Sequence, residues 1–293
     1  MTPKVLVLGG MGMLGSAMVR QLHGTESLVA VTVRDLSGST ISPTPFVQFS
    51  VGDDTLPAIL GEYGPGDFVL NCIGIIKHRL DESDNSQRLQ AIRVNAEFPY
   101  HLTDLAEHQG FRIIQIATDC VYAGTVGTYN EQSSHDALDI YGKSKSLGEV
   151  PSPQVLNLRC SIIGRELVGH TSLVEWLLSQ PDRGTIRGYS DHLWNGITTD
   201  CFARIAVGLI SSGSTLSGTF HVVPADIVSK NTLSRMILDK FGREDVSVAP
   251  TVTGDAIDRT LSTLHPEINQ RLWELANFQR PPTIDHMVQS LVP

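Results

Sequence analysis

The segment "YGKSK" places Tyr141 and Lys145 four residues apart. On a helix that spacing is one face, so both side chains reach one site. A free tyrosine titrates near ~10 and is a poor acid–base group at neutral pH; nearby positive charge would bring it down. Upstream, "QIATDCVYAG" spans Gln115 to Gly124 and follows the β-branched Ile113 and Ile114. It reads as a buried strand that ends in Thr118, Asp119 and Cys120, three side chains that accept, donate or attack. Thr118 completes a proton-transfer set with Tyr141 and Lys145 by hydrogen-bonding the oxygen that gains or loses a proton.

A second group lies near the start. "VLVLGGMGMLGSA" sets Gly9, Gly10, Gly12 and Gly15 between a strand and a helix, with Met13 and Leu14 at the helix start. Glycines there permit a tight turn and let backbone approach a diphosphate, while the helix N-terminus offers free N–H groups. The junction is the first of an alternating chain, which is the context a dinucleotide site requires. The second strand ends in "TVRDL", with Arg34 nineteen residues after Gly15. An arginine suits the 2′-phosphate of NADP, so NADPH is the expected cofactor, with NADH as the alternative read from Asp35. Asp53 or Asp54, after the third strand, is expected to contact the adenine ring.

Elements that position these groups follow from pattern. Short apolar runs such as "KVLVLGG", "LVAVTVR", "FVQFS", "DFVLNCIG", "FRIIQIA" and "QVLNLRCSII" alternate with helical stretches. This predicts an α/β fold, a doubly wound parallel sheet of the Rossmann type, with a smaller C-terminal lobe. Residues 1–164 are read as the dinucleotide-binding domain and residues 165–293 mainly as the substrate lobe, the chain returning to the first domain around 195–222. One long helix is expected from about Asn85 to His108, kinked or broken at Pro99. Ser229 reads as the N-cap of "KNTLSRMILDKF".

Composition narrows the function class. A net charge of −9 and no basic cluster argue against nucleic acid. No apolar run approaches the roughly 18 residues that cross a bilayer. The four cysteines, Cys72, Cys120, Cys160 and Cys201, are dispersed without a C-x-x-C pair. No metal site or disulfide framework is expected, and a reducing cytoplasm fits.

The ordered set "GGMGMLG", "NCIG", "ATDCVYAG" and "YGKSK" resembles the extended short-chain dehydrogenase/reductases, most closely the dTDP-4-dehydrorhamnose reductases and related nucleotide-sugar reductases. The resemblance covers residues 4–165 well and the rest loosely. It implies Thr118, Tyr141 and Lys145 as the catalytic triad, with Lys145 also on the nicotinamide ribose. Asn71, Cys72 and Gly74 belong to the loop over the cofactor, and Asn95 to a proton relay. The implied activity is NADPH-dependent reduction of a nucleotide-linked 4-keto-6-deoxy sugar, feeding a surface polysaccharide or a glycosylated metabolite. The implied partner is that substrate, and a homodimer is compatible with the family.

Substrate contacts are read from what remains. Asp119 suits sugar hydroxyls. Related dehydratases carry Asp and Glu at the two positions after the threonine; here the pair is Asp119–Cys120. In GDP-fucose synthases a cysteine stands at the Cys120 offset, which leaves an epimerase–reductase open, with His170 or His192 as the opposing acid. A non-catalytic, NADP-binding regulatory subunit is the second alternative, since methionine adenosyltransferase has one resembling these reductases. The loop "NCIGIIKHRLDESDNSQR" departs from the small, alanine-rich family loop and brings Lys77, His78 and Arg79 toward a sugar or its phosphates. In "GYSDHLWNGITTD", Trp194 is expected to stack on the substrate and Asn195 to hydrogen-bond it. For the diphosphate the available cations are Arg159, Arg165, Arg183 and Arg187, with Arg187 preferred.

Overall fold

Val5–Leu8 (β1) is apolar and buried at every position, as a strand covered on both faces must be. The computed structural model describes residues 2–36, 45–167 and 171–292. From β1 it continues through α1 (Met13–Leu22), β2 (Leu28–Val33), β3 (Phe46–Gln48), α2 (Leu56–Leu60), β4 (Phe68–Asn71), α3 (Asn85–Ile92), α4 (Phe98–Gln109), β5 (Arg112–Thr118), α5 (Ile140–Leu147) and β6 (Val155–Cys160). There follow β7 (Ile162–Ile163), α6 (Leu173–Leu178), β8 (Thr185–Tyr189), β9 (His192–Trp194), β10 (Ile197–Thr198), α7 (Thr199–Ser211), β11 (Gly218–His221) and β12 (Val228–Ser229). The chain closes with α8 (Lys230–Lys240), β13 (Ser247–Thr251), β14 (Ile257–Asp258), α9 (Pro266–Leu275) and α10 (Ile284–Gln289).

The main sheet has seven strands in the order β11–β6–β5–β4–β1–β2–β3, and every neighbouring pair is parallel. Helices cover both faces: α1 and α7 with the larger apolar core, α2 and α4 with the second. This is the expected doubly wound α/β fold. Strand order reverses between β1 and β4, and open sheets of this kind hold ligands in the crevice at that reversal. The loops after β1 and β4 therefore share one crevice.

Residues 199–221 contribute to the sheet domain. Helix α7 packs on α1, where Arg20 reaches Asp200 at 3.1 Å, and β11 extends the edge beside β6. The lobe is built from two small sheets, β12–β9–β14 and β13–β8, with α8 packed beside them. Ser229 caps α8, its side chain accepting from Thr232 N at 3.1 Å. No helix among the described residues is long and apolar enough to cross a membrane.

The long helix predicted from Asn85 is interrupted rather than kinked at Pro99. Helix α3 ends at Ile92, a π-turn occupies Arg93–Glu97, and α4 carries Pro99 in its first turn. Proline lacks the N–H that would bond four residues back, and a widened turn just before it accommodates that loss. Asn95 sits in this π-turn, a device that often marks a functional position.

A buried row of amide side chains ties the central strands together. Asn71, Gln115 and Asn157 are in register on β4, β5 and β6. Asn71 Nδ2 donates to Gln115 Oε1 at 2.9 Å, and Gln115 Nε2 donates to Asn157 Oδ1 at 3.1 Å and to the Gly148 carbonyl at 2.6 Å. The last bond pins the C-terminal end of α5 to the strand that ends at Thr118.

Candidate active site

Thr118 ends β5 and caps the short turn Asp119–Val121: its Oγ1 accepts from Cys120 N at 3.2 Å and donates to Asp119 Oδ1 at 3.3 Å. Helix α5 begins beside it. Asp139 caps α5, accepting from Gly142 N at 2.7 Å. A Cβ on Gly142 would lie 2.4 Å from the Cys120 carbonyl oxygen, so only glycine lets the helix start against this turn. That close approach brings the Tyr141 hydroxyl within hydrogen-bonding reach of Thr118.

Burial pushes the Tyr141 phenol upward, with Cys120 and Asp119 adding to the rise and the Thr118 hydrogen bond opposing it. The lowering expected from the sequence rests on the Lys145 ammonium together with a cationic oxidised nicotinamide; among the chain's own groups burial dominates. The Lys145 ammonium is directed at the Ile116 carbonyl, 2.9 Å away, and burial lowers its own pKa. Desolvation therefore outweighs any charge effect on the tyrosine, and Tyr141 stands as a neutral phenol ready to donate. Asn95 supports the same region. Its Oδ1 accepts from Ile75 N and its Nδ2 donates to the Ile75 carbonyl, both at 2.9 Å, and Nδ2 also reaches Ser144 Oγ at 3.2 Å. One side chain thus links the loop after β4 to α5.

The glycine turn lies across the crevice. Gly9 takes φ +80°, and a Cβ on Gly15 would sit 2.1 Å from the Gly9 carbonyl oxygen. At Gly12, by contrast, a Cβ would meet nothing nearer than 3.4 Å. Packing alone does not demand glycine there, and the backbone is left open to close approach. The first turn of α1, with Met13 and Leu14, has no side-chain cap and no acid, so its N–H groups face an anion unopposed. The residues present fit a dinucleotide. Cys72 and Gly74 line the neighbouring loop, whose Ile73 side chain would be 3.0 Å from a Cβ on Gly9. Asn71 spends its side chain on Gln115 and on Ile73 N, the latter at 3.2 Å, so it shapes this loop from below. Arg34 stands exposed at the end of β2. Asp53 turns its Oδ2 onto Ser50 N at 2.7 Å, closing its own loop.

Several expected substrate contacts are placed otherwise. Trp194 is 3% exposed and donates its indole N–H to Ser161 Oγ at 2.9 Å, while Lys230 lies over its ring at 5.4 Å. The stacking face expected to meet the sugar is taken by that lysine. Asn195 is consumed by Leu261, donating to its carbonyl at 2.7 Å and accepting from its N–H at 2.9 Å. Lys77 pairs with Asp139 at 2.7 Å and Arg79 with Glu166 at 3.3 Å; the basic loop clamps neighbouring segments. Arg187 is exposed on β8, and Gly188 next to it faces Asn231 of α8, so Arg187 points away from that helix. Arg159 is buried against Glu149, Tyr122, His221 and His135 and is removed from the candidates for a diphosphate. Arg165 pairs with Glu175.

Asp119 and Cys120 do lie beside the triad. Burial raises the Asp119 pKa, against the opposing charges of Lys230 and Arg259. Burial, with Asp119 adding to it, pushes the Cys120 thiol up to about 12. His192 stacks on Tyr189 at 4.7 Å and meets Thr253 Oγ1 at 3.3 Å; His170 lies outside the described residues. Cys120→Ser is expected to keep turnover within about tenfold of the parent, short of the roughly 10²–10⁴-fold due to a general acid–base group; a larger loss in steady-state rate would make the thiol essential. Among the described residues no cluster of His, Cys, Asp or Glu could hold a metal ion.

Two residues escaped the sequence reading, Lys230 and Arg259. Lys230 opens α8, where the helix dipole disfavours a cation; that mismatch was the available signal. Arg259 follows β14, and its Nε donates to the Tyr122 carbonyl at 2.8 Å; nothing local distinguished it.

Comparison with known proteins follows the same lines. The family model for the RmlD substrate binding domain matches residues 3–292. A probable low-salt glycan biosynthesis reductase, Agl14 of Haloferax volcanii, is 28% identical over 265 residues, covering 86% of this chain and 85% of the relative. The dTDP-4-keto-6-deoxy-D-glucose reductase of Streptomyces niveus is 26% identical over 286 residues, covering 95% and 92%. Among solved structures, dTDP-4-dehydrorhamnose reductase of Bacillus anthracis in complex with NADP superposes with TM-score 0.70 at 19% identity, covering 99% of this chain and 98% of that one. With the family model spanning nearly the whole chain, this protein belongs to the RmlD substrate binding domain family.

Proposed function

We propose that the protein is an NADPH-dependent reductase of a nucleotide-linked 4-keto-6-deoxy sugar. The observation that carries this reading is the convergence of Thr118, Tyr141 and Lys145 at the end of β5, beside the glycine turn of α1. The relatives named as reductases of dTDP-linked keto sugars support the substrate class. NADPH, when bound, supplies the hydride. The chain's own residues do the rest. Met13, Leu14 and the Gly12 backbone hold the diphosphate of the cofactor, and Arg34 meets its 2′-phosphate. Tyr141, kept neutral by burial, delivers its proton to the sugar oxygen. Thr118 fixes that hydroxyl, and Lys145 supplies positive charge as the phenolate forms. Asn95 and Gln115 hold the two elements at the required separation.

Simple reduction is favoured over epimerisation, because burial holds the Cys120 thiol neutral and His192 is engaged with Tyr189 and Thr253. The complete triad favours an enzyme over a regulatory subunit. A homodimer and a cytoplasmic setting belong to the same proposal; four free cysteines suit a reducing compartment. The test is NADPH oxidation with a panel of dTDP- and UDP-linked 4-keto-6-deoxy sugars. Steady consumption with at least one supports the reading; none with any member rejects it. Arg34→Ala is expected to weaken NADPH binding roughly tenfold, by loss of a charge-assisted phosphate contact, and to leave NADH nearly unchanged by fluorescence titration. Equal loss for both would remove Arg34 from the cofactor site.

A further inference from the structure

We propose that Lys230 and Arg259 form a clamp for an anionic group of the nucleotide sugar, set on the lobe side of the catalytic pocket; this rests on the reading above. The small sheet β12–β9–β14 brings the two cations together. Lys230 follows β12 and Arg259 follows β14, and both strands pair with β9, which ends in Trp194. Trp194 supports the lysine from beneath, 5.4 Å from its ammonium. Arg259 is held by its Nε on the Tyr122 carbonyl at 2.8 Å and packs its stem on Gly124. That anchor lies three residues beyond Asp119, so the guanidinium reaches the turn that Thr118 caps.

Three observations point to a ligand. First, hydrogen-bonding capacity is left over. Among the described residues the Lys230 ammonium has only the ring contact, and Arg259 uses Nε alone, leaving both terminal nitrogens of the fork. Second, the local charge does not balance. Asp119 and Asp139 face Lys77, Lys230 and Arg259, and the Lys77–Asp139 pair is already closed at 2.7 Å. One buried carboxylate, Asp119, remains for two cations. Third, Lys230 is the first residue of an 11-residue helix, where its charge opposes the helix dipole. A residue that breaks a local rule is expected where function requires it. Phosphate or carboxylate oxygens satisfy all three, and the arginine fork matches either. In a 6-deoxy sugar nucleotide the group that meets this description is the diphosphate joining sugar to nucleoside.

The experiment uses the full chain saturated with NADP⁺ and isothermal calorimetry with four probes: dTDP, UDP, dTDP-glucose and UDP-glucuronate. Lys230→Met keeps the stem over Trp194 and removes the charge; Arg259→Gln does the same at the second site; Lys230→Arg and Arg259→Lys keep charge. Thermal unfolding and NADP⁺ affinity check that each variant is folded. Each neutral variant is expected to lose roughly ten- to hundredfold in affinity, and the charge-keeping pair to recover most of it. Loss with dTDP or UDP assigns the clamp to the diphosphate; loss confined to UDP-glucuronate would place it on a carboxylate that a 6-deoxy sugar lacks, and overturns the assignment. Unchanged affinity for all four probes in folded neutral variants, or no binding of any probe by the parent, overturns the clamp. Turnover is not read, so failure here is separate from failure of the reductase assignment.

Discussion

Tyr141→Phe is expected to lower turnover by roughly 10²–10⁴-fold, the usual contribution of a positioned proton donor, while NADPH affinity stays within about twofold, as for a change confined to one non-anchoring hydroxyl. The argument is geometric. Tyr141 and Thr118 meet because Gly142 lets α5 start against the Cys120 carbonyl, and burial keeps the phenol protonated. Phenylalanine preserves the ring and its packing and removes only the proton. Stopped-flow measurement of NADPH oxidation, paired with fluorescence titration of the cofactor, separates the two effects. Turnover within tenfold of the parent would exclude Tyr141 as the donor.

The second large effect concerns stability. Arg159 is 2% exposed and lies against Glu149, donating through Nε at 3.1 Å, with further bonds to Tyr122 at 2.9 Å and to His221 at 2.7 Å. Arg159→Leu leaves Glu149 buried and unpaired, and is expected to cost about 3–5 kcal/mol in urea unfolding. Glu149 also lies two residues past the C-terminal end of α5, so the loss loosens the anchor of the helix that carries Tyr141 and Lys145. A cost below about 1 kcal/mol would mean that water or a neighbour replaces the arginine.

The same cluster sets a pH dependence. Burial, and then the Arg159 charge, lower the His221 pKa to about 4. A histidine whose folded value lies below its unfolded one binds protons better when unfolded. Its neutral form therefore contributes fully above about 6.5, and the contribution, about 3 kcal/mol, is lost as pH falls toward 4.

Much of this was legible in the sequence because it is local. Val5–Leu8 and Ile113–Ile116 are apolar runs whose strand character needs no partner to be read. Tyr141 and Lys145 are one helical turn apart, and Gly9, Gly12 and Gly15 mark a turn whose shape depends on those residues alone. The contacts that were misread depend on remote segments. Asn195 meets Leu261, 66 residues away, and Trp194 lies under Lys230, on the far side of helix α7 and three strands in sequence. Arg159 was read as a cation available to the diphosphate because nothing nearby in sequence announces His221 or Tyr122. Pro99 announced an irregular helix; the π-turn before it, and hence the position of Asn95, depended on how α5 packs alongside.

The central claim is a two-electron reduction of a sugar carbonyl with the proton from Tyr141. It is tested most directly by incubating the protein with NADPH deuterated at nicotinamide C4 and a turned-over 4-keto-6-deoxy nucleotide sugar in ordinary water, then reading the product by NMR. The account predicts one deuterium at sugar C4 and none at C3 or C5, with the signal abolished in Tyr141→Phe. A C4 that carries no deuterium, or the same product formed at undiminished rate by Tyr141→Phe, would contradict it.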